Sequence, residues 1–215
     1  HQNHAIDARL AWKGLELGIQ QLWMDSGYGV AYAADESQSM GRWIRPETSI
    51  YLRDKSELSG SLTSTAMVRF RHSDVDDGSF DVESFYGYGS GAASVITHYE
   101  ALNSSLAYTQ DLEFRASDRL TFNGGLDLEQ KTLQKAYLTT AAPAAPPDGS
   151  LNDANHFSVL DRAAYLQGRY LLASGQQLTL GIRNDDDAIF GSATTLRGGY
   201  VFNAGAWGVK ALYGQ

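Results

Sequence analysis

Along Leu102-Asn103-Ser104-Ser105-Leu106-Ala107-Tyr108-Thr109-Gln110-Asp111-Leu112-Glu113-Phe114, the even positions read Leu, Ser, Leu, Tyr, Gln, Leu, Phe and the odd positions read Asn, Ser, Ala, Thr, Asp, Glu. Only a repeat of two separates the residues this way, so the stretch is a strand with one apolar and one polar face. After a break at 115–119 the pattern resumes, with Leu120, Phe122, Gly124, Leu126 and Leu128 opposed to Thr121, Asn123, Asp127 and Glu129. Two alternating runs around a short turn form an antiparallel hairpin.

The same rhythm extends in both directions. Strands are expected at 5–12 and 15–23 around Lys13-Gly14, at 44–53 and 61–71, at 163–172 and 178–183 around Ser174-Gly175, and at 194–202 and 207–213. Long polar connections are expected at 25–41, 73–95 and 139–153, the last holding three of the four prolines. Proline lacks the N–H a ladder needs, which suits a loop. Short turns alternating with long loops are the habit of outer-membrane barrels, and strands of 8–13 residues bracket the ~9–11 that cross a bilayer with tilt. Trp12, Phe114, Phe122, Phe202 and Trp207 crowd the short-turn ends, as in an interfacial aromatic girdle. The expected fold is therefore all-β: an antiparallel up-and-down transmembrane β-barrel, about ten strands of a larger barrel, occupying residues 1–215 without a plug domain.

A soluble barrel or sandwich also alternates, with its apolar face turned inward. The polar faces of these strands carry Asp7, Arg9, Glu16, Arg53, Arg69, Arg71, Asp111, Glu113, Asp127, Glu129 and Arg183. So many charges suit a wide, watered lumen better than a narrow closed one.

Composition narrows the classes further. The chain has 215 residues, a net charge of −8, mean hydropathy of −0.31 and no cysteine. No apolar run approaches the ~18 residues of a transmembrane helix, which says nothing against crossing by strands. The acidic balance and the lack of a basic stripe exclude nucleic acid as an expected partner. Without cysteine there is no disulfide framework, thiolate metal site or cysteine nucleophile.

From Arg162 the words themselves are informative: Ala163-Ala164-Tyr165-Leu166-Gln167-Gly168-Arg169-Tyr170, a Ser-Gly turn, then Leu178-Thr179-Leu180-Gly181-Ile182-Arg183-Asn184-Asp185. This resembles the barrel of TonB-dependent outer-membrane receptors, in which an aromatic-Leu-Gln strand precedes a Leu-Thr-Leu-Gly-Leu-Arg-Tyr-Asp-like strand. Ala211-Leu212-Tyr213-Gly214-Gln215 is similar to the strand after which such receptors continue with Ala, an aromatic, Arg, any residue and Pro. Asn184 stands where the family carries an aromatic, and neither a plug nor a TonB-contacting box is present. The resemblance covers about the last quarter of the chain. It implies location in the outer membrane, contact with its lipid, and energised uptake of a scarce small molecule such as a ferric siderophore, haem or cobalamin. The TonB complex would act through the absent plug. The alternatives left open are a complete small barrel serving as adhesin or structural protein, and a soluble ligand-binding barrel.

The side chains expected to meet a ligand are Tyr28, Tyr32 and Trp43 around the first long loop, Phe85, Tyr86 and Tyr88 in the second, and Arg69 and Arg71 on the lumen face. Exposed aromatics on outer loops either pack together or bind something. The arginines either meet an anionic ligand or pair with Asp111 and Glu129. No enzyme activity is expected, since no Ser, His and orienting polar residue assemble. No cofactor or metal is expected either. His1, His4, His72, His98 and His156 are scattered, and the acidic run Asp74, Asp76, Asp77, Gly78, Asp81 lacks EF-hand spacing. Asp185-Asp186-Asp187 reads as a solvated acidic segment in the same way. Gly87-Tyr88-Gly89-Ser90-Gly91 has no following Lys and is expected to be a flexible loop.

Overall fold

The computed structural model describes residues 2–27, 41–87, 90–139 and 156–214, with side chains described throughout these ranges except at 81–96 and 135–139. Ten strands form one sheet in sequence order: β1 His4–Trp12, β2 Leu15–Ser26, β3 Trp43–Ser59, β4 Leu62–Gly87, β5 Ser90–Arg115, β6 Leu120–Thr139, β7 Phe157–Ala173, β8 Gln176–Asp187, β9 Gly191–Ala204 and β10 Trp207–Gly214. Every neighbouring pair is antiparallel. Among the described residues there is no helix, and β1 and β10 are the two edges of the sheet.

The five expected short turns are all present, and their chemistry is local. Lys13 (φ 50°) and Gly14 (φ 101°) are both left-handed, as a two-residue type I′ hairpin turn requires to match strand twist. Each of the first four turns also docks on the next hairpin. The carbonyls of Gly14, Ser61, Arg119 and Gly175 accept the N–H groups of Lys55, Arg115, Leu171 and Asn203, at 2.9, 2.8, 2.8 and 2.8 Å. This contact exists because each hairpin reaches beyond the one before it.

The overhang is systematic. A single rung of the ladder starts at Trp12, the turn end of β1, and passes through Leu15, Asp54, Ala66, Gln110, Leu126, Ala164 and Asn184 to Thr194. The turn end of β9 is Ala204, ten residues further along the strand. Ten residues at ~3.3 Å over eight interstrand steps of ~4.8 Å give a slope of about 40°, the tilt of strands in a barrel wall.

The apolar face follows that slope instead of the rungs. At the level of Trp12 the outer face is apolar in β1, whereas the same rung is polar by Asn184 and Thr194; in β8 the apolar residues are Leu178, Leu180 and Ile182, nearer the turn. This face is also the exposed one. Leu180 and Ile182 are 58% and 47% exposed, while the Arg183 side chain on the opposite face is 30% exposed. In β7, positions 158, 160, 162, 164 and 166 are exposed and 159, 161, 163, 165 and 167 half-buried. Among described residues the only buried hydrophobics are Ile44 and Ala107. A total accessible surface of 14530 Å² compares with the ~9,700 Å² of a compact chain of this mass. Among the described residues the sheet is a single-layer wall without a hydrophobic core, and its apolar face is the exposed one rather than the inward-facing one of a soluble barrel.

Two expectations about the far end are corrected. The span 73–95 is no long loop: β4 continues to Gly87 and β5 starts at Ser90, paired through Phe85↔Ala93. Between β8 and β9 there are three residues, 188–190, so that far-side connection is also short. Sequence alternation stopped marking strands where the apolar face stopped, yet backbone pairing needs no apolar residues and runs on.

Candidate functional site

Between the register shifts, the odd-numbered positions of β4 to β8 share the charged face. Period two fixes which side each residue takes, and register decides its partner. Glu16 accepts from Tyr51 Oη at 2.8 Å and Arg53 Nη2 at 3.3 Å. Arg71 Nη2 reaches Glu47 at 2.9 Å, and Arg69 lies 3.8 Å from Glu129. Arg183 bridges Asp127 at 2.9 Å and Asp185 at 2.9 Å, while Lys131 pairs with Asp161 and Tyr165 donates to Asp111. Apart from Arg183–Asp185 within β8, these pairs join side chains across adjacent or next-adjacent strands, so the face is an ion-pair lattice lying along the wall. At half exposure each pair is worth little alone, and their joint effect is to fix arginine and carboxylate positions.

Against this background one patch departs from the pattern. Leu133, Phe157, Val159 and Ile189 stand on the charged face and line a hollow of about 410 Å³ together with Arg71, Glu129 and Lys131. Ser73, Asn103 and Ser105 supply hydroxyl and amide groups around it. An adjoining hollow of about 360 Å³ shares Glu129 and Lys131 and adds Arg69, Asp127, Asp161, Arg183 and Asp185. An apolar surface ringed by fixed polar groups is the usual make-up of a small-molecule site. Asp187 shapes its edge, since Oδ1 accepts the N–H groups of Ile189 and Phe190, each at 2.8 Å.

Of the residues expected from sequence, Arg71 lines the first hollow and Arg69 the second. Trp43 instead packs edge-on against Tyr99, with ring centroids 5.5 Å apart. Phe85 and Tyr86 belong to β4, but their side chains, like Tyr28, Tyr32 and Tyr88 altogether, lie outside the described residues. The structure therefore brings together the two arginines and separates them from Trp43. Leu133, Phe157, Val159 and Ile189 were missed. The available signal was a break in alternation, since Phe157 and Val159 are apolar at positions that continue the polar phase of 161, 165, 167 and 169.

Two members of the acidic run are engaged locally. Asp74 pairs with His72 Nε2 at 2.7 Å, and Asp76 accepts the Gly78 N–H at 2.9 Å. Among the described residues, no three His, Asp or Glu side chains converge as a metal would need.

No family profile and no curated protein matches the sequence. Among solved structures, this chain is similar to a crystal structure of a Pseudomonas aeruginosa FadL homologue, at a TM-score of 0.46 and 10% identity. The alignment covers 98% of this chain, which spans 58% of the length of that one.

Proposed function

We propose that this chain forms wall of an outer-membrane β-barrel that passes solutes along its charged face, and that the hollow at Arg71 and Phe157 is where a solute with an apolar body first binds. The observation that carries this reading is the exposed apolar face whose rows climb with the strand ends at about 40°. A flat hydrocarbon slab cut across tilted strands requires that slope. Water would be a poor neighbour for such a face: single exposed apolar residues are ordinary, a continuous one is not.

Photolabelling with a lipid-soluble carbene precursor tests it. Labels should fall on Leu126, Leu180 and Leu196 and spare Thr109 and Arg183; equal labelling of both faces ends the membrane reading. For the hollow, Val159→Asp should weaken uptake of apolar solutes and leave ionic conductance unchanged.

A finer form of the reading is TonB-energised uptake of a scarce ligand such as a ferric siderophore, haem or cobalamin. It is supported by the words of 162–185 and 211–215, of which 162–185 fall on the β7–β8 hairpin and 211–214 on β10. Collapse of the proton gradient in cells separates it from passive passage, since energised uptake stops and diffusion continues.

A further inference from the structure

On the apolar face, one rung reads Phe122, Gly168, Leu180, Gly198, Tyr213, so glycine alternates with a large side chain across five successive strands. The next rung is filled by Leu166, Ile182 and Leu196. The two missing side chains leave an open hollow of about 510 Å³, apolar on all sides except at Arg197. Nothing backbone-related demands glycine here. A Cβ on Gly168 would meet its nearest neighbour, Phe122, at 3.5 Å, and one on Gly198 would meet Leu180 at 3.8 Å, both ordinary contacts.

We infer that this hollow retains the acyl chain of a membrane lipid as a bound ligand. The inference rests on the outer face being the lipid-facing one, as proposed above. Three features select a hydrocarbon chain as the occupant. From β6 to β9 the hollow is flanked by exposed apolar side chains, among them Leu126, Leu166, Tyr170 and Leu196. Its floor offers no hydrogen bond, because β7, β8 and β9 are each paired on both edges, so an added peptide strand has nothing to pair with. Its walls are branched and aromatic side chains, which hold a flexible chain by dispersion contacts that a smooth wall lacks.

The full chain, reconstituted in phosphatidylcholine vesicles with a trace of phosphatidylcholine spin-labelled at mid-chain, gives the test by electron paramagnetic resonance. The wild type is expected to show a motionally restricted lipid component that falls in Gly168→Leu/Gly198→Leu, which fills the hollow, and persists in Ala164→Leu, which adds bulk on the same face outside it. Both variants place leucine toward lipid with space for Cβ, and circular dichroism checks that the sheet is kept. Equal restricted components in all three overturn the inference while lipid contact stands. A component reduced equally by both variants overturns it too, since the effect would not belong to the hollow. If filling changes the oligomer size in the vesicle instead, a protein occupies the hollow and the inference fails. Absence of any restricted component in the wild type overturns the membrane reading itself.

Discussion

Tyr165 occupies the space that a side chain at its cross-strand partner Gly125 would need: a Cβ there would lie 2.4 Å from Tyr165 Cε1. The same arrangement recurs at Gly18, where a Cβ would lie 2.3 Å from the ring of its partner Tyr51. In both places the hydroxyl goes on to a carboxylate, Asp111 or Glu16. The tyrosines thus lie along the wall, and the glycines are what lets them do so. Gly125→Ala and Gly18→Ala should each destabilise the protein by about 1–3 kcal/mol through overpacking. Gly124→Ala, whose Cβ would meet nothing closer than 3.4 Å, should change much less. Urea unfolding measures the difference, and Tyr165→Ala added to Gly125→Ala should recover part of the loss.

Trp12 and Trp207 should report the same depth in a bilayer. On the ladder they lie apart, because the rung of Trp12 meets β9 at Thr194 while Trp207 pairs with Ala204. That gap is ten residues, or ~33 Å along the strand. Tilt cancels it if both tryptophans line one membrane border. Single-tryptophan variants quenched by lipids brominated at graded depths measure this, and depths differing by the ladder gap would refute the tilted wall.

Leu180 sits in the middle of the apolar row Leu178, Leu180, Ile182 of β8. Arginine at a bilayer midplane costs ~2–4 kcal/mol, so Leu180→Arg should lower stability in lipid by about that much. Thr109→Arg, on the charged face beside Asp127, should be close to neutral. Equilibrium unfolding from vesicles compares the two, and equal effects would mean that the faces are not differently solvated.

Asp25 and Arg42 tie the far ends of β1, β2 and β3 to β4. Arg42 gives Asp25 two hydrogen bonds, at 3.0 and 2.7 Å, and the Asp25 N–H donates to Asn3 Oδ1 at 2.9 Å. Arg42 also exchanges both backbone bonds with Phe80, each at 2.8 Å. Hydrogen bonding to Asp25 raises the Arg42 guanidinium above its ordinary range. Asp25→Asn or Arg42→Gln should speed hydrogen exchange at the Arg42 and Phe80 amides and leave exchange at the short turns unchanged. Additive effects in the double variant would show that the two side chains act separately.

Strand existence, strand order and both faces were legible in the sequence wherever apolar and polar residues alternate, as in 102–114. They stay hidden where that contrast ends, so 73–95 reads as loop although β4 continues to Gly87 and β5 begins at Ser90. The aromatic residues expected as ligand contacts stand in or beside the spans that read as loop, and only Trp43 among them has a described side chain, packed on Tyr99. Arg69 and Arg71 were found because charge on a strand face has a fixed side. Phe157 and Val159 were overlooked because an apolar residue in the polar phase looks like noise until its neighbours across the sheet are known.

The sequence by itself determined the period, and with it which side of the wall each residue takes, because side chains of a strand alternate whatever the strand pairs with. It also determined the short turns, through local backbone needs such as those of Lys13 and Gly14. The tertiary structure decided the register. Register is a sum of many weak cross-strand choices and has no local signature. From it follow the 40° climb of the apolar face, the placing of Tyr165 over Gly125, and the gathering of Leu133, Phe157, Val159 and Ile189 into one hollow from three separate parts of the chain.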